Sequence, residues 1–263
     1  MGNINFEEVK IMWKRKDLKK KAKEVLKNFY WKSFLISFVI MLIGGNQHYN
    51  FLISLQPLKI PDDVYSTIMS SANPNLGLWF YGVIVSIIFL IFFMPMRVFI
   101  GYILEIGGRK FYINASKEEG KVKDVISFFK KDTYFNIIKT MLVRDISIFL
   151  WSLLFVIPGV IKAYTYRMVP YILAHNPSID YKRALELSKL MTDGHKFEII
   201  KLDLSFFFWH LLGIIVSIPN KTFIGIYFIY PYIEATDAQL YNVLRRKLFE
   251  KNLCSADEIA IKE

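Results

Sequence analysis

Residues Leu76 to Met96 read LGLWFYGVIVSIIFLIFFMPM, an uncharged run longer than the roughly 18 residues that mark a candidate membrane-spanning helix. No other stretch restricts the chain as much, because a helix apolar all round must be enclosed by protein or by lipid. The composition favours lipid, since 54% hydrophobic and 16% aromatic residues exceed what a soluble core needs. The formal charge of +11 then reads as topology signals and contacts with anionic lipid, and not as a nucleic-acid surface. A single cysteine, Cys254, excludes a disulfide framework and any multi-cysteine metal or iron–sulfur site within one chain. A cleavable signal peptide is not expected, because the first long apolar run begins only near Phe34, behind about thirty residues of mixed charge.

The basic residues alternate with the apolar runs and set an expected orientation. Between Lys10 and Lys27 there are nine Lys or Arg against two acids, with Val9, Met12 and Trp13 near helical spacing, so residues 1–27 read as a basic amphipathic segment on the cytoplasmic face. Residues 28–104 form an expected first hairpin, with spans at Asn28–Gly45 and Leu76–Leu104 and an outer loop at 46–75 that has only Lys59 among its bases. Residues 105–135 are dense in Lys and Arg and read as a cytoplasmic loop, within which Asn114–Gly120 is solvated. Residues 245–263 form an expected cytoplasmic tail.

Residues 136–244 hold a local repeat. Phe135–Lys139 (FNIIK), Trp151–Leu154 (WSLL), Ile157–Pro158 and Pro170–Ala174 (PYILA) recur in order as Phe197–Lys201 (FEIIK), Trp209–Leu212 (WHLL), Ile218–Pro219 and Pro231–Ala235 (PYIEA). Basic residues on both sides of residues 139–182 require an even number of crossings between them, which predicts a tight turn at Pro158–Gly159 and a second at Pro219–Asn220. Pro170 and Pro231 then kink the returning helices. The expectation is an all-α, polytopic membrane bundle of about six spans in three hairpins. The last two would be parallel repeats joined by a cytoplasmic segment at 176–198, with both termini cytoplasmic.

From about Trp151 to Leu244 the chain resembles the bacterial membrane proteins catalogued as domain of unknown function 975. The resemblance is carried by the IPG and PYILA stretches, the A-x-x-x-S-K-x-M-x-x-G-H-K block from Ala184 to Lys196, and PYIEATDAQLYNVL. That family is similar in layout to the membrane domains beside glycerophosphodiester phosphodiesterases, and the resemblance implies a place in the bacterial cell membrane. The Pro219–Lys221 turn departs from the Thr-Gly-rich turn associated with the family.

Ionisable residues inside spans cost ~2.5–3.5 kcal/mol each at a helix centre, so they are candidate site residues. Arg97, Lys139, Lys162, Lys201 and Asp203 lie near expected surfaces and read as anchors, whereas Arg144, Asp145, Arg167, His210 and Glu234 lie deeper. Matching their depths at ~1.5 Å per residue predicts the pairs Arg144–Glu234 and Arg167–Asp145. No HExxH or comparable metal spacing occurs, and neither a cofactor nor a metal is expected. Asp193 and His195 in TDGHK are a conceivable dyad, against a helix end at Gly194, and Tyr181–Met191 reads as an amphipathic helix. The expected function is a non-enzymatic bundle that binds membrane lipids, including anionic headgroups, or a membrane-protein partner. A small-solute transporter or channel and a lipid-headgroup enzyme are the alternatives.

Overall fold

Helix α1 (Arg15–Leu42) runs without a break through the place where the basic segment was expected to give way to a first span. Leu18, Ala22 and Leu26, four residues apart, are buried, as are Ser33, Ile36, Ser37 and Ile40, while Lys20, Lys21 and Lys23 face out. The computed structural model describes residues 13–42, 63, 66–67, 70, 74–129, 131–217 and 228–259, and all regular structure among them is helical.

Helix α2 (Pro74–Met96) carries the apolar run and leads into α3 (Tyr102–Ala115) through a π-helical turn, Arg97–Gly101. Pro95 has no N–H to donate and its ring crowds the preceding turn, so the ladder loosens just after it. The Tyr134 hydroxyl donates to the Phe99 carbonyl at 2.8 Å within that turn. Helix α3 is buried along nearly its whole length, which corrects the expectation of a cytoplasmic loop from residue 105. The Tyr112 hydroxyl ties it to α1, accepting from Ser37 Oγ at 2.6 Å and donating to the Ser33 carbonyl at 3.1 Å.

Helix α4 (Lys131–Leu154) is followed by α5 (Val156–Thr165), which folds back on it. The reversal is at Phe155, whose backbone is extended, and not at Pro158–Gly159. Pro158 lies in the first turn of α5, where its missing N–H costs nothing. Gly159 is there for proximity: a Cβ would come 2.6 Å from Ser152 Cα, so only glycine lets the two helices touch.

The expected fourth span is two helices, α5 and α6 (Val169–His175), and Pro170 begins the second one instead of kinking a continuous helix. The break is buried, and α7 (Tyr181–Thr192) satisfies it: Ser188 Oγ donates to the Thr165 carbonyl at 2.8 Å and accepts from Met168 N at 3.2 Å. The expected fifth span is likewise divided into α8 (Lys196–Leu204) and α9 (Phe207–Ser217). Arg15 and Lys19 of α1 donate to the Lys201 and Ser205 carbonyls at 3.2 and 3.1 Å there, as cations do at helix C-termini. Helix α10 (Tyr230–Glu250) has Pro231 in its first turn and packs along α1, α3 and α7. A short helix, α11 (Ala256–Ile259), ends the described chain, its Glu258 accepting from Arg183 at 2.8 Å.

These breaks overturn the six-span, multi-pass arrangement with both ends on one side. Among the described residues one helix, Ile91–Ala115, is long and apolar enough to cross a membrane, and half of it is buried in protein. A spanning helix needs about 20 residues, whereas α5, α6, α8 and α9 have 10, 7, 9 and 11. Among the described residues no hairpin repeat is seen: FNIIK and WSLL share the single helix α4, while FEIIK and WHLL are separated by the break between α8 and α9. What the two copies share is a helix that begins at the PY dipeptide. The expected turn at Pro219–Asn220, residues 1–12 of the basic segment and most of the 46–75 loop lie outside the described residues.

Candidate functional site

Several apolar segments pass from mostly exposed to mostly buried within a few residues of a charged residue. Along α2 and α3, Phe92 and Phe93 are exposed, as are Phe99 and Ile100 just past Arg97, and burial begins at Gly101. On α4 the change is at Arg144, 2% exposed, after which Phe149, Leu150 and Leu153 face out. Helix α5 runs from Val156, 75% exposed, to a buried Thr165 just before Arg167. In α8 and α9 the buried Leu202 and Phe206 lie on either side of Asp203 and the exposed Leu204, and the exposed Phe207 and Phe208 follow.

The charges at these boundaries form a layer of two ion-pair groups, one around Glu105 and one around Arg167, that line a common cavity. Arg97 Nη2 is 2.8 Å from Glu105 Oε2, while Arg144 and Arg109 approach Glu105 Oε1 at 3.8 and 3.9 Å. Arg144 Nε donates to Asp145 Oδ1 at 2.8 Å, and the Tyr102 hydroxyl donates to Asp145 Oδ2 at 2.7 Å. Arg109 pairs with Glu234 and donates to the Tyr171 hydroxyl at 3.2 Å. Arg167 is held by two carboxylates, with Nη1 to Asp203 Oδ2 at 2.6 Å and Nη2 to Asp237 Oδ1 at 2.8 Å, and Tyr164 also donates to Asp203 at 2.8 Å. Burial works against the Arg167 charge, but Asp203 and Asp237 outweigh it and raise its pKa well above the ordinary value.

Glu105, Arg109, Arg144, Tyr164, Arg167 and Asp237 are among the residues lining a cavity of about 140 Å³. The cavity therefore presents three buried guanidiniums and two carboxylates, all anchored from behind by further partners. Such a lining suits a small polar group that accepts hydrogen bonds from fixed donors. Among the described residues no group of three or more His, Cys, Asp or Glu could hold a metal ion.

Four of the five predicted site residues, Arg144, Asp145, Arg167 and Glu234, belong to this layer, but not in the predicted pairs. Glu234 takes Arg109 instead of Arg144, and Arg167 takes Asp203 and Asp237 instead of Asp145. Depth along an assumed straight span was the wrong measure, because α5 and α8 end beside Arg167 and Asp203 and bring near-surface residues into the layer. His210 is half-buried on α9 and is not among the residues lining the cavity. Burial lowers its pKa while Asp203 opposes that shift. Glu105, Arg109 and Asp237 were missed. The i, i+4 spacing of Glu105 and Arg109 on one helix face was the available signal.

The remaining candidates separate. Of the kink and turn residues, Pro158 and Gly159 join α5 to α4, Pro170 and Pro231 start helices, and Pro219 lies outside the described residues. Asp193 and His195 form no dyad: Asp193 ends α7, Gly194 adopts φ +71°, and the His195 ring turns to Lys247 at 2.5 Å.

Residues 153–247 match the model of a family described as a protein of unknown function, DUF975. The match spans α5 to α10, less than half of the chain, and includes Arg167, Asp203, Glu234 and Asp237. No curated protein and no solved structure matches the chain.

Proposed function

We propose that this α-helical protein is a non-enzymatic lipid-binding bundle, its exposed apolar segments lying against acyl chains and its arginine-lined cavity taking part of an anionic headgroup. The observation that supports this reading is the coincidence of two boundaries, apolar exposure and the charged layer, on α2–α3, α4, α5 and α8–α9. Exposed apolar surface of this extent marks an interaction site in a folded protein. The lysines exposed along α1 add attraction to anionic headgroups of ~1 kcal/mol per residue near a surface. Every acid and base of the layer has an oppositely charged neighbour, which suits a preorganised binding surface more than a group poised for turnover.

Vesicle flotation of the full chain tests the reading. Binding to phosphatidylcholine vesicles containing phosphatidylglycerol should exceed binding to phosphatidylcholine alone. Arg144→Gln should reduce that preference while leaving the apolar contribution in place. A chain that stays monodisperse without detergent and floats with neither vesicle would refute lipid binding. Flotation that requires a co-purified membrane protein would assign the apolar surface to a protein partner.

A further inference from the structure

Lys247 is 9% exposed and packs among Leu190, Leu244 and Leu248, where a cavity of about 40 Å³ separates α10 from the α7–α8 connection. Its Nζ meets His195 Nε2 at 2.5 Å. An ammonium only donates, so Nε2 accepts and the imidazole facing it is neutral. None of the ion pairs among the described residues includes Lys247. The other charged groups around the cavity are Lys251, just past the end of α10, and Asp193. Both of these are exposed, so the cavity opens between them.

We propose that Lys247 is a nucleophilic amine that accepts a short acyl group from an activated donor of the thioester class, with His195 receiving the proton. A lysine becomes nucleophilic near neutral pH when it is desolvated in an apolar wall or set beside another cation, and Lys247 has both conditions. Burial and then Lys251 lower its pKa. Burial, Lys247 and Lys251 also lower that of His195, against Asp193 and Glu198.

The step balances without a further reagent. The ammonium first releases one proton to water, and the free amine attacks the thioester carbonyl carbon. The N–C bond forms, the C–S bond breaks, and the thiolate leaves. The surplus proton on nitrogen passes to His195 Nε2 and from there to the thiolate or to water. The product is a neutral amide against a leucine wall, which removes a buried charge that has no carboxylate beside it. The cavity has room for a few waters, which limits the acyl group to a short one.

The full chain in detergent, incubated at neutral pH with S-acetyl-N-acetylcysteamine, gives site-by-site acetylation rates by mass spectrometry. Lys247 should be acetylated severalfold faster than the exposed Lys20 and Lys189. A merely buried lysine would be the slowest of the three, and a rate no greater than theirs overturns the proposal. His195→Gln should bring the Lys247 rate down to that of the exposed lysines, and an unchanged rate removes the histidine from the step. Lys251→Gln, an exposed change that leaves the wall intact, should slow Lys247 severalfold and leave Lys20 unaffected. It carries the test if His195→Gln fails to fold, and no effect on Lys247 overturns the activation argument.

Discussion

The guanidinium of Arg167 grips Asp237 through both carboxylate oxygens, at 2.8 and 2.9 Å, and joins a residue between α5 and α6 to one on α10. The same guanidinium holds Asp203 of α8, so one side chain, 6% exposed, ties three parts of the chain. Replacing it with methionine strands Asp237, 4% exposed on its side chain, and should lower unfolding free energy by ~3–5 kcal/mol. Adding Asp237→Asn should recover part of that loss. Chemical denaturation in detergent measures both, and a double variant no better than Arg167→Met alone would contradict the pairing.

Glu234 should couple energetically more strongly to Arg109 than to Arg144. In a double-mutant cycle, Glu234→Gln with Arg109→Met should show an interaction of about 0.5–3 kcal/mol, while Glu234→Gln with Arg144→Met, linked only through Arg109 and Glu105, should show a smaller one. The reverse result would restore the pairing predicted from depth along the sequence.

Two glycine-to-alanine changes should differ in sign. At Gly159 the added Cβ lies 2.6 Å from Ser152 Cα, a backbone atom that cannot step aside, so α4 and α5 must separate at a cost of roughly 1–3 kcal/mol. At Gly82, within α2, nothing lies within 4 Å, and alanine should stabilise by roughly 0.5–1 kcal/mol through helix propensity. Thermal melts of the two variants distinguish a packing glycine from a permissive one.

Stability should fall in acid through His175. Arg245 lies 2.5 Å from its Nε2 and can only donate, so the ring proton belongs on Nδ1, 3.0 Å from the Tyr241 hydroxyl. Burial, then Arg245, pushes its pKa down to about 3 from 6.5. Between those values the unfolded chain binds a proton that the folded one refuses. The contribution is therefore complete above about pH 6.5 and is lost as pH falls towards about pH 3, at ~1.4 kcal/mol per unit where the protonation difference is full. Denaturation midpoints measured across this window should flatten in His175→Gln, and an unchanged slope would assign the acid sensitivity to other groups.

Helix content, the overall apolar excess and the odd position of Arg144, Asp145, Arg167 and Glu234 were determined by the sequence alone, because hydropathy and charge are properties of local stretches. The PY dipeptides were expected to kink returning helices, and the structure makes them helix starts instead, proline being a first-turn residue. Where helices end was not legible. The breaks at Thr165–Met168 and Ser205–Phe206 persist because Ser188, Arg15 and Lys19, remote in sequence, supply hydrogen bonds to the freed backbone groups. Those breaks divide would-be spans into short helices and bring Asp203 to Arg167. Burial likewise depended on assembly: the charged helix α3 is enclosed because α1, α6 and α10 close around it, while the more apolar α2 stays exposed. Which face meets which is a property of the packed chain, and only the tertiary structure could pair Arg109 with Glu234 and His195 with Lys247.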